Sequence, residues 1–409
     1  MTIFRAALLC LSLLTLSAAA DGLAGKVMCG YQGWFRVPED GANNGWHHYA
    51  PGRVFEPGQC HIDLWPDVRE LPVAERFPTP FRHPDGSVAE VFSSTRPAVI
   101  ALHFQWMRDY GIDGIFLQRF AGTTRDERFR KPQDGILDAC RRSAKDTRRT
   151  WALMYDLSGL TKEAAQTVIT DWKRLEAQFR LTSAAENPAY LRHRGKPLIA
   201  LWGCGFNDRP AMLDEWRELL TFFKKEAGCS VMLGVPAYWR TQDRDAISDG
   251  DFHALITEAD VISPWNVGRY CTPEEAARHA EKVTAPDIAW CRERKLDYLP
   301  VAFPGFSWRN LSASRGREQK VDAIPRLGGK FLWSQAAAFH KAGAEALYVA
   351  MFDELDEGTA IFKVRQNPPV GKSLFVSEPG VPEDHYLWLT GRAGELYSGK
   401  RKDTGQPVR

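Results

Sequence analysis

The sequence predicts a single (β/α)8 barrel. Eight short apolar runs with strand character recur along the chain, and each precedes a segment with helical periodicity. An open, doubly wound sheet is the main alternative, but it normally has fewer strands, and no Gly-x-Gly-x-x-Gly motif follows the first run. No linker or low-complexity stretch divides the chain, so we expect residues 21–409 to form one barrel domain.

The predicted strands are short apolar runs bounded by Gly, Pro or polar residues, as buried parallel strands are. They cover 26–31, 114–120, 151–156, 197–202, 230–235, 260–263, 298–303 and 346–352. The helices that follow them are predicted at 100–110, 136–144, 162–179, 211–227, 251–257, 273–294, 332–342 and 385–397. Because long loops in compact domains are usually functional, we interpret 32–96, rich in Pro, Gly and His, as an elaborated first βα loop.

The first 20 residues have the pattern of a secretion signal. Arg5 gives a basic start, residues 6–16 are apolar, and three alanines at 18–20 precede Asp21 as a cleavage site would. The apolar stretch is too short to span a membrane, and no later segment is long and apolar enough to do so. The sequence therefore predicts a secreted or periplasmic protein without a membrane span.

Charge and cysteine usage exclude several classes of protein. Lys and Arg total 53 against 51 Asp and Glu, so there is no basic field for nucleic acid, and we expect no nucleic-acid partner. Seven of the 8 cysteines follow the signal, lie far apart and form no Cys-x-x-Cys pair, which argues against a zinc ribbon or a redox motif. One or two disulfides would be compatible with export, but the sequence does not pair them.

Aromatic residues collect where the predicted strands end, which is where the active sites of barrels lie. Six of the eight strand ends carry Trp or Tyr, and aromatic faces beside a few polar groups suit an oligo- or polysaccharide substrate. Each tryptophan alone could equally belong to the core, and Asp156 could simply cap a turn before Ser158. The candidate substrate-binding residues are Tyr31, Trp34, Gln118, Arg119, Tyr155, Asp156, Trp202, Trp239, Trp265, Asn266 and Trp308.

Four carboxylates follow the last predicted strand: Asp353, Glu354, Asp356 and Glu357. Like charges held close together raise one another's pKa, which suits general acid and base catalysis. Glu354 and Glu357 are three residues apart, so one helical turn would place their carboxyls side by side. Such proximity favours a retaining glycosidase over an inverting one. We therefore predict Glu354 and Glu357 as catalytic residues and Asp353 as a substrate contact.

Other catalytic classes have weaker support. His47, His48, His61 and Asp63 lie in the first loop, but they do not form a complete set of metal ligands, so no metal and no cofactor is predicted. A Ser-His-Asp hydrolase is not indicated, because no Gly-x-Ser-x-Gly elbow is present.

Three segments resemble glycoside hydrolase family 99, which contains endo-α-mannosidases and endo-α-mannanases, and the related family 71 of α-1,3-glucanases. Residues 352–359, Phe-Asp-Glu-Leu-Asp-Glu-Gly-Thr, are similar to the family 99 segment Asn-Glu-Trp-His-Glu-Gly-Thr. Residues 30–35, Gly-Tyr-Gln-Gly-Trp-Phe, and 154–159, Met-Tyr-Asp-Leu-Ser-Gly, also look like this group. The chain departs from the motif at Asp353, Leu355 and Asp356, which replace Asn, Trp and His.

The resemblance implies a retaining α-glycosidase that uses a pair of glutamates. Glu354 would take the proton of the sugar 2-hydroxyl, whose oxygen then attacks the anomeric carbon to form a 1,2-anhydro sugar. Glu357 would protonate the leaving oxygen and then activate water. Two other hypotheses stay open: a glycan-binding barrel without turnover, and a metal-dependent hydrolase built on the first-loop histidines.

Overall fold

The computed structural model describes residues 22–160 and 163–409, so the predicted signal at 1–20 lies outside the described residues. Eight barrel positions are filled by parallel strands, and a separate antiparallel hairpin lies in the first loop. The strands are β1 (Val27–Tyr31), β2 (Phe77–Arg82), β3 (Val88–Val91), β4 (Gly114–Phe120), β5 (Thr150–Asp156), β6 (Arg192–His193), β7 (Lys196–Trp202), β8 (Ser230–Pro236), β9 (Val261–Trp265), β10 (Asp297–Tyr298), β11 (Val301–Ala302) and β12 (Leu347–Val349).

The strand order of the large sheet is β10-β9-β8-β7-β5-β4-β1-β12-β11, and β6 pairs with β7 outside this path. Its two ends, β10 and β11, are consecutive pieces of one segment, so the sheet closes on itself. Leu299 donates its N–H to Ile262 of β9 at 2.9 Å, and Pro300 accepts from Tyr348 of β12 at 3.0 Å. Pro300 has no N–H for the ladder, which explains the interruption. The predicted (β/α)8 barrel is confirmed.

A helix layer surrounds the strands, with apolar faces against the barrel and polar faces outward. The helices are α1 (Pro97–Tyr110), α2 (Glu127–Thr147), α3 (Ala164–Phe179), α4 (Leu213–Thr221), α5 (Phe252–Ile256), α6 (Pro273–His279), α7 (Ala285–Glu293), α8 (Arg309–Ala313), α9 (Lys330–Lys341) and α10 (His385–Tyr397). Two π-helical turns, Phe222–Glu226 and Ala280–Thr284, extend α4 and join α6 to α7. None of the helices within the described ranges is both long and apolar enough to cross a membrane.

The first loop is longer than any other and is folded onto the mouth of the barrel. It contains the hairpin β2–β3, which the sequence analysis did not predict. Pro78 and Pro80 lie in β2, and proline is uncommon inside strands. Asp63 and Leu64 both donate backbone N–H groups to the carbonyl of Leu355, at 2.9 and 3.2 Å. The loop is thereby attached to the segment that follows β12.

Two glycines give large side chains room inside the barrel. A Cβ on Gly30 would lie 2.2 Å from Met351 Cε and 2.4 Å from Tyr348 Oη. A Cβ on Gly234 would lie 2.5 Å from Cδ1 of Trp202. Because real Cβ atoms do not approach so closely, these glycines fix where the tyrosine and the indole sit.

The last predicted strand is shorter than expected. Its ladder ends at Val349 rather than at Phe352. Met351 donates its backbone N–H to the carbonyl of Thr359 at 3.2 Å, and Phe352 donates its own to the carbonyl of Gly30 at 2.7 Å. The chain therefore leaves the ladder and folds back on itself directly before the carboxylate cluster.

Candidate active site

The four carboxylates lie on a tight turn at the C-terminal end of the barrel, defined here as the acid turn, residues 353–358. The expected helical turn does not form, because residues 355–358 adopt a turn instead. Gly358 has φ +64°, and a Cβ there would lie 3.0 Å from Ser307 N. Ser307 also donates its N–H to the carbonyl of Glu357 at 2.9 Å. The turn therefore needs glycine at this position to pack against the segment that follows β11.

Asp353 connects the acid turn to the start of the first loop. Its two carboxylate oxygens accept the backbone N–H groups of Gln32 at 2.7 Å and Gly33 at 2.8 Å, and its side chain is fully buried. Burial raises its pKa to about 7, while the two hydrogen bonds act in the opposite direction. The predicted role as a substrate contact is therefore replaced by a structural one.

Glu354 is buried and held by two donors. Gln32 Nε2 donates to Oε1 at 3.2 Å, and Thr359 Oγ1 donates to Oε2 at 2.8 Å. Burial raises the pKa of Glu354 well above its ordinary value, Glu357 and Asp356 raise it further, and the Thr359 hydrogen bond lowers it. The carboxyl is thus fixed in orientation and retains its proton more strongly than an exposed glutamate would.

Glu357 is the most exposed of the four acids. Burial raises its pKa to about 7, the neighbouring Asp356 raises it as well, and Arg315 lowers it. Because Glu354 and Glu357 act on each other's proton affinity, they titrate as a pair rather than as separate groups. A pair of this kind can hold one proton near neutral pH, as a general acid and a general base require.

Asp356 stands where the resembled segment has histidine, and it contacts a histidine from the first loop. His48 Nδ1 lies 2.8 Å from Asp356 Oδ2. The His48 ring stacks on Trp34, with centroids 3.7 Å apart and planes 6° apart, and Trp34 stacks on Phe120 at 5.3 Å. Burial lowers the pKa of His48 to about 3 and raises that of Asp356 to about 7. Both shifts disfavour the charged forms, so a hydrogen bond between neutral groups joins the two side chains rather than an ion pair.

Aromatic side chains border the mouth of the barrel on the side away from the first loop. Trp202 and Trp265 meet edge to face at 5.5 Å, and Phe206 lies 5.0 Å from Trp202. Arg209 lies over the Trp202 ring at 5.3 Å. Four tryptophans are partly exposed, Trp34, Trp202, Trp265 and Trp308. His48 and Phe120 already stack on Trp34, and Arg209 lies over Trp202.

The interior positions at the strand ends carry polar groups. Asp156 pairs in register with Trp202 on one side and Phe120 on the other, so the three side chains share the inner face. Gln118, two residues before Phe120, also points inward. Burial raises the pKa of Asp156, and its carboxylate accepts the N–H of Ser158 at 2.7 Å. This hydrogen bond is the turn cap that the sequence left open as an alternative role.

Four predicted substrate contacts face the helix layer instead of the mouth, because successive strand residues point to opposite faces. Tyr31 Oη lies 2.8 Å from His103 Nδ1, and Tyr155 donates to Asp171 at 2.7 Å. Arg119 donates to Asp171 at 2.5 and 2.8 Å, and is itself buried. Trp239 is fully buried and packs against Trp290 with centroids 4.9 Å apart. These side chains stabilise the barrel–helix packing.

Asn266 is fully buried as well, and its Nδ2 donates to the carbonyl of Val301 at 3.2 Å. It therefore joins two neighbouring strands rather than lining an open surface. The residues that the sequence analysis missed are Gln32 and Thr359, which hold Glu354, and His48. Gln32 lies inside a segment that the resemblance had singled out, whereas no sequence signal connects His48 with Asp356.

The first-loop histidines make contacts other than those of a metal site. His48 contacts Asp356, and His47 Nδ1 lies 3.1 Å from the carbonyl of Trp34. Across residues 22–160 and 163–409, no group of three or more His, Cys, Asp or Glu side chains is arranged to hold a metal ion. All seven cysteines of the same ranges are free thiols, and only Cys271 is exposed.

No protein-family profile matches the chain, and no curated protein sequence matches it. Among solved structures, it is similar to the GH99 endo-α-mannosidase from Bacteroides thetaiotaomicron. The TM-score is 0.63 at 14% identity, over 93% of this chain and 100% of that chain. The chain shares the barrel fold of that enzyme.

A second structure of the same endo-α-mannosidase, in complex with bis-tris propane, gives a TM-score of 0.62 at 14% identity and the same coverage. A family 5 enzyme of subfamily 18 from Streptomyces cattleya, in complex with GlcNAc, is similar at a TM-score of 0.46 and 11% identity, over 75% of this chain and 76% of that chain. The resemblance in sequence covers only short motifs, whereas the similarity to the endo-α-mannosidase covers the whole barrel. This similarity concerns the fold alone.

Proposed function

We propose that the protein is a retaining glycoside hydrolase that cleaves α-linked glycans with Glu354 and Glu357. The observation that carries the proposal is the paired glutamates on the acid turn, whose pKa values are both raised, at the end of the barrel where such chemistry occurs. The similarity in fold to an endo-α-mannosidase supports the class of reaction.

Glu354 acts as the base in this proposal and Glu357 as the acid. Burial holds the pKa of Glu354 well above its ordinary value; the hydrogen bonds from Gln32 and Thr359 fix its carboxyl, and that of Thr359 acts against this rise and favours the ionised form that a base needs. Glu357 is the more exposed of the two, so it is better placed to reach the oxygen of a leaving sugar and then a water molecule. Glu354 removes the proton of the 2-hydroxyl, O2 attacks C1, and Glu357 protonates the departing oxygen.

The substrate class is an α-linked oligo- or polysaccharide, with mannan-like glycans first. Partly exposed Trp265 and Trp308 offer stacking surfaces for sugar rings around the carboxyl pair. We further propose that residues 1–20 direct export, which N-terminal sequencing of the exported protein tests: a mature chain that starts at Asp21 is expected.

A panel of α- and β-linked oligosaccharides that includes α-mannan and α-1,3-glucan fragments tests the proposed function. Wild type is expected to release sugar from an α-linked member, and Glu357→Gln is expected to lose that activity by about 10²-fold or more. Glu345→Gln is the matched control, because Glu345 is exposed and precedes β12 at the opposite end of the barrel. Silence of the wild type across the panel would contradict the proposal.

The route through a 1,2-anhydro sugar has its own test. A substrate without the 2-hydroxyl offers no oxygen for internal attack, so the enzyme should not cleave it although it should still bind. Cleavage of the 2-deoxy substrate with retention would instead mean that a carboxylate attacks C1 directly.

A glycan-binding barrel without turnover is the second candidate. The departures from the resembled motif at Asp353, Leu355 and Asp356 favour it, because they alter the surroundings of the glutamates. Quenching of tryptophan fluorescence by a glycan that the wild type does not hydrolyse would support this candidate over the enzyme.

A further inference from the structure

A cavity of about 310 Å³ opens at the N-terminal end of the barrel, opposite the acid turn. Its walls belong to segments that lead into strands: residues 22–24 before β1, 193–194 before β7, parts of 288–298 up to β10, and 343–346 before β12. The volume lies within the range of about 300–1,000 Å³ that small-molecule sites occupy. Because the catalytic residues of such barrels lie at the other end, this cavity is separate from the site on the acid turn.

His193 lines this cavity and is buried with its ring nitrogens unsatisfied. The residue is 5% exposed, and neither ring nitrogen has a hydrogen-bond partner among the described residues. Nε2 lies 2.8 Å from Asp297 Oδ2, but at an angle that is poor for a hydrogen bond. Nδ1 lies 3.7 Å from the position that a Cβ on Gly22, another lining residue, would take. Since a buried polar atom without a partner is destabilising, Nδ1 needs a partner that a molecule in the cavity can supply.

Arg292, in the last turn of α7, brings an unpaired positive charge to the same cavity. Its Nη2 would lie 3.8 Å from a Cβ on Gly343. Its side chain makes no ion pair and no hydrogen bond within the described part of the chain, and Glu345, which also lines the cavity, does not pair with it. Arg194 is already occupied, because its Nη2 donates to Asp297 Oδ2 at 2.8 Å. Arg292 is therefore the cation that is available to an anionic ligand.

The rest of the wall is mainly apolar. Leu23, Ile288 and Leu296 line the cavity, together with Ala344 and Ala346. Each of these residues is more than nine-tenths buried, so the surfaces that they turn to the cavity are fixed by the surrounding core. Such a wall suits the carbon skeleton of an organic ligand, whereas an inorganic anion would gain nothing from it.

We propose that the cavity binds a small hydroxycarboxylic acid, with its carboxylate on Arg292, its hydroxyl on His193 and its carbon skeleton on the apolar wall. The carboxylate follows from the unpaired guanidinium, whose planar fork fits it. The hydroxyl follows from the tautomer of the imidazole. The carboxylate of Asp297 beside Nε2 favours the proton on that nitrogen, so Nδ1 is an acceptor and needs a donor. Glycan hydrolysis plays no part in this binding, so the two proposals stand or fall separately.

Calorimetric titration of the purified protein with mandelate and with α-hydroxyhexanoate tests the site, because the two acids share the polar groups and differ in the skeleton. Both are expected to bind. Phenylacetate, which lacks the hydroxyl of mandelate, should bind about fivefold more weakly. Styrene glycol, which lacks the carboxylate, should bind about tenfold more weakly or worse. If neither acid binds at millimolar concentration, water alone satisfies His193 and the proposal fails.

Two variants assign the polar groups of the ligand. Arg292→Gln is expected to lower the affinity for mandelate by about tenfold and to leave that for styrene glycol unchanged, since only mandelate has a charge for the guanidinium. His193→Phe should make mandelate and phenylacetate bind equally, because the acceptor of the hydroxyl is gone.

Arg294→Gln is the matched control. Arg294 is exposed, lies outside the cavity wall and has its guanidinium 4.0 Å from the centre of the Trp290 ring. The control should bind mandelate as wild type does. An unchanged affinity for mandelate in Arg292→Gln, or an equal loss in Arg294→Gln, would overturn the assignment of this site.

Discussion

At the scale of single residues, the main feature is a set of carboxyls held under conditions that disfavour their charge. Burial raises the pKa of Asp353, Asp356 and Glu357 to about 7 in each case. Ionising such groups costs folding free energy, which a protein accepts where the raised pKa serves catalysis. This cost can be measured independently of any substrate.

Glu357→Gln is expected to stabilise the protein at alkaline pH. The folded-state pKa of Glu357, about 7, lies above its ordinary value, so the stabilising contribution of the protonated form is full below about pH 4 and is lost as pH rises through 7. Glutamine has no proton to lose. The free energy of unfolding of the variant should exceed that of wild type by about 3 kcal/mol at pH 8 and match it at pH 4. Equal stability of the two proteins at both pH values would contradict the raised pKa.

Gly358→Ala is expected to destabilise the protein by about 2 kcal/mol. The left-handed conformation at φ +64° disfavours alanine, and the new methyl group would lie 3.0 Å from the backbone of Ser307. Urea unfolding measures the loss, and Gly86→Ala is the matched control. Gly86 also has a positive φ, +83°, but nothing lies within 4 Å of a Cβ there. The difference between the two variants isolates the contact with Ser307, and equal losses would show that the contact contributes nothing.

At the scale of elements, the acid turn is held by segments that are distant in sequence. Asp353 fixes it to the start of the first loop, and the backbone of Leu355 accepts two hydrogen bonds from residues 63 and 64. Asp63 also reaches α8, where its carboxylate accepts from Arg309 N at 2.7 Å and Asn310 N at 2.9 Å. The first loop is therefore part of the site's framework.

Asp63→Ala is expected to loosen the segment around α8. The buried N–H groups at the start of this helix would lose their acceptor, with a loss of about 2–3 kcal/mol in local stability. Hydrogen exchange of residues 307–313 should accelerate, while exchange in the barrel strands stays unchanged. Asp85→Ala, which removes an exposed turn carboxylate of the β2–β3 hairpin, provides the control. Unchanged exchange at 307–313 would mean that Asp63 does not hold the helix.

The sequence was sufficient to predict elements whose signals are local. Gly114–Phe120 and His385–Tyr397 were predicted with their observed bounds, because apolar spacing and punctuating residues define them within a few positions. The short helix Arg309–Ala313 was missed, since it depends on capping by Asp63, 246 residues away from Arg309. A local pattern contains no information about such a partner.

The same distinction applies to the site. The carboxylates were predicted because acids directly after a buried strand are unusual in the sequence itself. Tyr31, Arg119 and Tyr155 were assigned to the mouth, although they face the helix layer. The sequence of a strand end does not give the register of the strand in the sheet, so it does not show which side chains point inward. The contact of His48 with Asp356 joins residues 308 positions apart, and only the closed barrel with its folded first loop brings them together.

At the scale of the whole molecule, the mouth of the barrel is acidic and aromatic. The core contains no disulfide among the residues that the structure describes. Six of its seven described cysteines are buried, and burial raises the pKa of Cys29, Cys140 and Cys204 among them. Buried thiols of high pKa react slowly, because the thiolate is the reactive form.

Native protein is therefore expected to react with a thiol reagent at one cysteine, Cys271, and the denatured mature chain at seven. Cys271→Ser should abolish labelling of the native protein, and mass spectrometry of peptides identifies the modified site. Fewer than seven reactive thiols after denaturation without reductant would instead reveal a disulfide.

The most direct test of the central claim compares Glu354→Gln with Glu357→Gln on two α-glycosides that share a sugar and differ in the leaving group. The fluoride ion of an α-glycosyl fluoride departs without protonation, whereas the leaving oxygen of an oligosaccharide must be protonated by the acid. Glu357→Gln should still release fluoride in the first turnover and lose cleavage of the oligosaccharide, while Glu354→Gln should lose both. Loss of neither activity in either variant, or the reverse pattern between the two, would contradict the assignment of Glu357 as acid and Glu354 as base.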